Sequence, residues 1–194
     1  SFGQTFEKTA QGGKFQTAQP TLNGEVIFYS PSIVRIVKYP SAEMPEKKSY
    51  PIIKTPEKVE ISYKQNGNTV SMTSGKMTVT LDVATGKVTY TDPQGETLLK
   101  EKVEGTNFIP RKDVNRDAYT VSQAFSLEPE EAIYGLGQYQ NGIMNYRGKS
   151  VLLLQANMDI VNPFLISTNG YEPPKPADSP VKRQYQHLHP LFHI

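Results

Sequence analysis

Hydrophobic and polar residues alternate with a period of two through the middle of the chain. The alternation runs over residues 59–64, stops at a turn over 65–68, and resumes over 70–73. Successive side chains of a β-strand point to opposite faces, so this pattern predicts two paired strands. The Asn66-Gly67 pair supplies the positive φ that a tight hairpin turn requires.

The same pattern extends in both directions along the chain. A further apolar face over 77–83 is followed by a turn at 84–86, a strand at 88–90 and a type I turn at Asp92–Gly95. One helical turn is predicted over 127–133, and the proline-rich segment 40–56 is predicted to be an exposed loop. Additional strands are predicted at residues 25–29, 33–39, 119–127, 151–155 and 164–168. This spacing favours an all-β, antiparallel two-sheet β-sandwich.

Composition narrows the possible function classes. The 194 residues carry 21 basic and 19 acidic side chains, a net charge of +2 that is too small for a nucleic-acid binder. No apolar run approaches the ~20 residues of a membrane span. The absence of cysteine excludes disulfides and thiolate chemistry. The first residues show no leader peptide, and a Ser1 start favours a processed or engineered end.

The composition changes after Tyr171. Residues 172–194 contain five prolines and all three histidines, and they lack strand periodicity until the last few residues. We therefore divide the chain into an N-terminal extension over 1–19, a sandwich domain over 20–171 and an atypical tail over 172–194. We interpret the tail as frameshifted or artificial.

Several motifs that suggest ligand sites lack part of the required pattern. Gly135 and Gly137 are not followed by the third glycine of a phosphate loop, so a turn or bulge between strands is favoured. The acidic segment 113–117 lacks the glycine and glutamate of a calcium loop. The histidines at 187, 189 and 193 lack a fourth ligand nearby, so we predict no metal site. Residues 128–131 are interpreted as a solvated acidic run.

The polar segment after Gly137 is the best candidate for ligand contact. Amides, a guanidinium and two tyrosines, Tyr139 and Tyr146, are typical of side chains that bind sugars. The alternative is a solvated loop that binds nothing, because no complete pocket is evident in the sequence. The candidate substrate-binding residues are Gln138, Gln140, Asn141, Asn145 and Arg147.

The stretches YGLGQ, PFLIS and GY, between Tyr134 and Tyr171, resemble the end of the N-terminal β-sandwich domain of glycoside hydrolase family 31. The segments SPSIVRIVKYP and MTVTLDVATGKVTYTDPQGETLLKE are similar to earlier parts of that domain. The loop QYQNGIMNYRG resembles the family branch that contains bacterial α-xylosidases. The resemblance covers roughly residues 20–171 and implies a galactose-mutarotase-like sandwich.

The resemblance also implies where the chemistry lies. Family members hydrolyse α-glycosides with two aspartates on a barrel that follows the sandwich, and retaining hydrolysis needs two carboxylates ~5 to 5.5 Å apart. This sequence announces no such pair, so we predict no catalytic residues, no cofactor and no activity for the chain alone. Its partners would be the barrel domain of the same enzyme and an oligosaccharide substrate.

Two other functions remain open at this stage. The chain could be an autonomous carbohydrate-binding β-sandwich, which would bind oligosaccharides in isolation. It could also be a structural or interaction module, which would show a large apolar patch and no affinity for sugar. The resemblance favours a periplasmic or secreted location, with a cytoplasmic one as the alternative.

Overall fold

A computed structural model of the protein describes residues 3–18, 21–40, 55–114, 116–149, 151, 157 and 159–168. These residues form twelve β-strands. The described chain divides into two compact units, the first reaching Ser126 and the second beginning at Leu127.

The first unit opens with a four-stranded antiparallel sheet in the order β1-β2-β3-β4. Its inclusion of β1 and β2 differs from the predicted N-terminal extension over 1–19. Residues 12 and 13 are both glycine, which leaves β2 without a readable alternation, but Phe6 and Phe15 are directly opposed and Phe15 is buried. The strands are β1 (Thr5–Thr9), β2 (Gly12–Gln16), β3 (Asn23–Ser30) and β4 (Ile33–Tyr39).

The second sheet of this unit has six antiparallel strands in the order β10-β9-β8-β7-β6-β5. Each strand pairs with its neighbour in sequence, as short hairpin connections require. Gly67 in the β5–β6 turn has a φ of 56°, which confirms the predicted turn. The strands are β5 (Ser62–Asn66), β6 (Thr69–Thr73), β7 (Thr78–Asp82), β8 (Lys87–Thr91), β9 (Thr97–Asp113) and β10 (Arg116–Ser126).

The hydrophobic core lies between these two sheets. Alternate residues of β6, β7 and β8 are buried, which confirms the period-two prediction for this region. Their partners come from the inner face of the first sheet, so each layer covers the apolar face of the other. The largest fully buried side chains are Phe28, Met72, Leu81, Val26, Val70, Val79 and Val88.

A buried ion pair joins the sheets on one side of the sandwich. Lys38 on β4 donates to Glu101 on β9 with an Nζ to Oε2 distance of 2.5 Å, and the two side chains are only 7% and 5% exposed. The same carboxylate oxygen accepts the backbone N–H of Val88 at 2.8 Å. Lys38 also donates to the hydroxyl of Thr106 at 3.0 Å. Burial lowers the pKa of Lys38, and the attraction of Glu101 opposes that shift.

A neutral contact joins the sheets on the other side. The Tyr63 hydroxyl on β5 donates to the carbonyl oxygen of Gly12 at 2.8 Å, at the start of β2. The ammonium group of Lys8 lies 4.7 Å from the centre of the Tyr63 ring. The two sheets are therefore joined by an ion pair between β4 and β9 and by a tyrosine hydroxyl between β5 and β2.

Strands β9 and β10 continue beyond the sandwich as a two-stranded ribbon. Their register shifts between Gln123 and Phe125, where residues 102–105 of β9 bulge opposite a single residue of β10. Glu104 in this bulge has a φ of 54°. Beyond it, residues 106–113 pair with residues 116–123, and we call these two paired segments the arm.

The second unit contains a two-stranded antiparallel sheet of β11 (Ile133–Gln138) and β12 (Ile160–Ser167). Where a helical turn was predicted, the structure has a single turn closed by the Glu131 N–H and the Glu128 carbonyl oxygen at 3.1 Å. Of the strand predicted at 151–155 only residue 151 is described, and residues 152–155 and the tail at 172–194 lie outside the described residues.

Candidate functional site

The YGLG segment forms a bulge within β11, and pairing with β12 resumes after it. Gly135, Leu136 and Gly137 have positive φ values of 99°, 65° and 121°, and the β11–β12 register shifts between the two glycines. A Cβ on Gly137 would lie 2.0 Å from the Ile160 carbonyl oxygen, and one on Gly135 would lie 2.6 Å from that of Phe164. The sequence-based prediction of a bulge is therefore confirmed, and both glycines are required by close backbone approach.

Glu131 organises the turn that precedes β11. Its side chain accepts the N–H of Glu128 at 2.8 Å and also accepts the hydroxyl of Ser167 on β12. Glu131 is only 3% exposed, so the prediction of a solvated acidic run is wrong at this position. Burial of a carboxylate is costly unless hydrogen bonds replace those it made to water, and here both carboxylate oxygens have partners.

Arg147 ties the polar loop to this turn. One guanidinium nitrogen, Nη1, donates to the carbonyl oxygens of Glu128 and Glu131, both at 2.7 Å. Two charge-assisted bonds from one nitrogen fix the position of residue 147 relative to the turn. The Arg147 side chain thus has a structural role, because it binds backbone carbonyl oxygens of the turn.

Asn145 and two tyrosines complete this anchoring. The Asn145 side-chain oxygen accepts the N–H of Ile133 at 3.1 Å and that of Arg147 at 3.0 Å. Tyr146 is buried, donates its N–H to the Ile133 carbonyl oxygen at 2.7 Å, and packs edge to face with Tyr139. Loss of solvent raises the pKa of Tyr139, as do its neighbours Tyr146 and Asp159.

The five candidate residues separate into two groups. Asn145 and Arg147 are brought together in the anchor described above. Gln138, Gln140 and Asn141 are exposed at the end of β11 and the start of the loop. The Asn141 side-chain oxygen accepts the N–H of Ile143 at 2.9 Å. The loop therefore has a fixed base and a polar outer part with exposed amide groups.

The sequence analysis missed two features of this loop. The first is the burial of Glu131, which looks like its exposed acidic neighbours in the sequence. Its partner Ser167 is 36 residues away, so no local pattern predicts their hydrogen bond. The second is an exposed apolar pair, since Met144 is 78% exposed and Ile143 is also exposed. An exposed apolar pair within a polar loop suits contact with the face of a sugar ring or with another protein surface.

The described residues contain no group of three or more histidine, aspartate or glutamate side chains arranged to hold a metal ion. The three histidines of the tail lie outside the described part of the chain. In that described part, no helix is long and apolar enough to cross a membrane. The exposed groups of the loop are the neutral amides of Gln138, Gln140 and Asn141, which can donate and accept hydrogen bonds with a polar ligand.

Curated relatives of this sequence are α-xylosidases. The chain is 31% identical over 165 residues to the α-xylosidase of Saccharolobus solfataricus, an alignment that covers 77% of this chain and 21% of the relative. It is 28% identical over 116 residues to α-xylosidase A of Aspergillus niger, covering 55% of this chain and 15% of that one. The chain thus spans about a fifth or less of the length of these relatives.

Solved structures share the fold. The family 31 α-xylosidase of Xanthomonas citri matches 84% of this chain with a TM-score of 0.79 and 27% identity, over 18% of its own length. A family 31 α-xylosidase from a soil metagenome matches with a TM-score of 0.70 at 17% identity, which shows the fold alone. The family described as the glycosyl hydrolase 31 N-terminal galactose mutarotase-like domain matches residues 24–171. This chain therefore belongs to the family of N-terminal galactose-mutarotase-like domains of glycosyl hydrolase 31 enzymes.

Proposed function

We propose that this chain is the non-catalytic N-terminal domain of a retaining α-glycosidase, an α-xylosidase or an α-glucosidase, that acts on oligosaccharides. The observation that carries the proposal is the family match over residues 24–171 together with α-xylosidase relatives that are about five times longer than the matched region. The carboxylate pair for double displacement would belong to the catalytic barrel that follows. The domain itself would bind and orient.

The polar loop is the part of the domain that we assign to the substrate. Its base is held by the Arg147 and Asn145 hydrogen bonds, so its outer residues are presented without a large cost in loop ordering. In this proposal the exposed amides of Gln138, Gln140 and Asn141 reach the mouth of the barrel. Arg147 and Asn145 position the loop from beneath.

The experiment is to express the complete coding sequence and assay it with aryl α-xylosides, aryl α-glucosides and xyloglucan oligosaccharides. We expect hydrolysis with retention of anomeric configuration. Gln138→Ala and Gln140→Ala should raise KM by about 3- to 30-fold, since each loses one or two hydrogen bonds to substrate. Lys149→Ala, an exposed residue at the end of the same loop, is the matched control and should leave KM unchanged.

Absence of hydrolysis with every α-glycoside, or a coding sequence without a barrel, would contradict the proposed function. Unchanged KM in both glutamine variants of an active enzyme would remove only the loop assignment. A periplasmic or secreted location remains a proposal supported by the resemblance, and fractionation of the native cells tests it.

An autonomous carbohydrate-binding module is the second candidate. The exposed amides beside exposed Met144 favour it, because they are accessible without any other domain. Calorimetric titration of the isolated chain with xyloglucan oligosaccharides separates the two functions. Millimolar or tighter binding that is lost in Gln140→Ala supports the module, and no detectable heat supports the dependent domain.

A further inference from the structure

The dipeptide Asn-Gly occurs four times in the sequence, and three of these pairs lie among the described residues. Glycine has no Cβ, so the backbone nitrogen that follows the asparagine can approach the side-chain amide carbon and close a succinimide ring. This reaction removes the side-chain amide as ammonia. The described pairs are Asn23-Gly24, Asn66-Gly67 and Asn141-Gly142, and the fourth pair, at 169–170, lies outside the described residues.

The first pair is closed to this reaction by the fold. Asn23 is only 7% exposed, and both of its strand neighbours are in place, since it pairs with Gln16 on β2 and Tyr39 on β4. A Cβ on Gly24 would lie 2.4 Å from the ring of Phe15, so the backbone here has no room to rotate. Ring closure at Asn23 therefore requires the sheet to open.

The second pair is exposed but held by its hairpin. Asn66 is the last residue of β5 and pairs with Thr69 on β6. The Gln65 side chain donates to the Gly67 carbonyl oxygen at 3.4 Å across the turn. Succinimide formation rotates the backbone at the asparagine, so Asn66 must first leave the end of the β5–β6 ladder.

The third pair lies outside the strands, in the polar loop, and both of its residues are exposed. The Asn141 side-chain oxygen accepts the N–H of Ile143 at 2.9 Å, which folds the side chain over the Gly142 peptide. Negative charge develops on this oxygen when a nucleophile attacks Cγ, so the Ile143 N–H is placed to stabilise it. A Cβ built on Gly142 meets nothing within 4 Å, so the peptide is free to rotate.

Asn145 in the same loop shows which further condition Asn141 meets. Its side-chain oxygen also accepts two backbone N–H groups, from Ile133 and Arg147. However, the nitrogen that would attack belongs to Tyr146, a buried residue whose N–H donates to the Ile133 carbonyl oxygen at 2.7 Å. The Gly142 N–H has no acceptor among the described residues, so its nitrogen is available.

We propose that Asn141 is a site of spontaneous deamidation in the folded chain. The Gly142 nitrogen bonds to Cγ of Asn141, the Cγ–Nδ2 bond breaks, and the Gly142 proton leaves with the departing ammonia. Solvent water then opens the succinimide at one of its two carbonyl carbons. The products are aspartate or isoaspartate at position 141, and no oxidant or reductant takes part.

Both products change the outer part of the loop. Each places a carboxylate between the neutral amides of Gln138 and Gln140 and the exposed side chain of Met144. Isoaspartate also lengthens the backbone by one carbon, while the base of the loop stays fixed by Arg147. The modification falls in the loop that we assign to the substrate, but it does not depend on that assignment.

The experiment follows deamidation of the 194-residue chain at mildly alkaline pH in water enriched in heavy oxygen. Fragmentation mass spectrometry of proteolytic peptides locates each new carboxylate, and a methyltransferase specific for isoaspartate identifies that product. The chain unfolded in urea is the reference, because there all three Asn-Gly pairs share the same local chemistry. Asn141→Gln is the matched control, since its longer side chain cannot close a succinimide.

In urea we expect the three pairs to react at rates within about threefold of one another. In the folded chain Asn141 should keep its urea rate within about threefold, while Asn66 slows at least about fivefold and Asn23 at least about a hundredfold. Asn145 should stay unmodified. Asn141→Gln should abolish label and isoaspartate in the loop and leave the rate at Asn66 unchanged.

Three results would overturn the proposal. One is protection of Asn141 by about tenfold or more in the folded chain relative to urea. Another is a rate at Asn66 that equals or exceeds the rate at Asn141 in the folded chain. The third is loop labelling that persists in Asn141→Gln, because the reactive residue would then be Asn145.

Discussion

The β7–β8 hairpin and the arm are built alike and have opposite fates. Both are antiparallel pairs of strands in which successive side chains alternate between two faces. Leu81 on β7 is fully buried, whereas Ile109 and Tyr119 in the arm are 60% and 44% exposed. Residues of the first sheet pack with those of β7 and β8 in the hydrophobic core, whereas no described residue of the arm belongs to that core. Alternation of apolar and polar side chains is therefore enough to form a strand, but its apolar face is buried only where a second sheet packs against it.

The largest expected effect comes from removing the Lys38–Glu101 ion pair, which lies between the covered part of the second sheet and the arm. Lys38→Ala leaves the Glu101 carboxylate buried without its cation, which should lower the free energy of unfolding by about 3 to 5 kcal/mol. Urea unfolding of the chain measures the change.

The double variant Lys38→Met, Glu101→Leu is the control for that experiment. It fills the same space with apolar groups and leaves no unpaired charge, so it should recover part of the loss, less about 1 to 3 kcal/mol for the Val88 N–H that loses its acceptor. A single Lys38→Ala variant within about 1 kcal/mol of wild type would show that the pair does not hold the boundary.

The second effect tests the covered hairpin. Leu81→Ala removes buried methyl groups and leaves a cavity between the sheets, which should cost about 2 to 5 kcal/mol by chemical denaturation. A cost below about 1 kcal/mol would mean that the two sheets close over the gap and that the core is less tightly packed than the structure indicates.

The third effect is the pH dependence of stability that arises from Tyr90, a buried residue influenced by the charge of Glu101. Burial, reinforced by the negative charge of Glu101, raises the pKa of Tyr90 well above its usual value. Above about pH 10 the unfolded chain loses this proton and the folded chain keeps it, so folding stability falls as pH rises, with a slope of at most about 1.4 kcal/mol per pH unit.

Tyr90→Phe removes this dependence and should flatten the alkaline limb in denaturation curves taken at several pH values. Lys38 acts with the opposite sign, because its lowered pKa makes stability rise with pH below its ordinary value of 10.5. Comparison of variant with wild type at each pH cancels that contribution. Parallel alkaline limbs for the two proteins would count against a buried, protonated Tyr90.

The smallest effect tests the uncovered hairpin. Ile109→Ala removes nearly the same methyl groups as Leu81→Ala, but from an exposed position. We expect a change within about 0.5 kcal/mol in the unfolding free energy of the 194-residue chain. A loss comparable to that of Leu81→Ala would erase the distinction between arm and core.

Local sequence patterns predicted most strands of the second sheet but none of the side-chain contacts that join it to the first sheet. The turns at Gly67 and at Asp92–Gly95 follow from residues adjacent in sequence, and the structure confirms both. Lys38 and Glu101 are 63 residues apart, so no local pattern announces their contact. Strand β2 was not predicted because its paired glycines at residues 12 and 13 interrupt the alternation, and β1 is an edge strand that pairs with β2 alone.

The candidate loop shows the same limit at a smaller scale. Sequence reasoning selected Asn145 and Arg147 because amides and guanidinium groups bind sugars, and the structure shows these groups bound to backbone. The difference depends on Glu131, whose burial is invisible in a run of acidic residues. The exposed amides at 138, 140 and 141 remain a prediction for substrate contact.

The bulge in YGLG has a consequence for anyone who wishes to alter this domain. Residues 135 and 137 admit glycine only, since the opposing backbone occupies the space where any side chain would begin. Later in the loop the limits are uneven, because Gly142 has a φ of 70° and Tyr139 packs on Tyr146, whereas residues 138, 140, 141, 143 and 144 are exposed. A library that tests the proposed substrate contact should therefore randomise these five exposed positions and leave both glycines of the bulge unchanged.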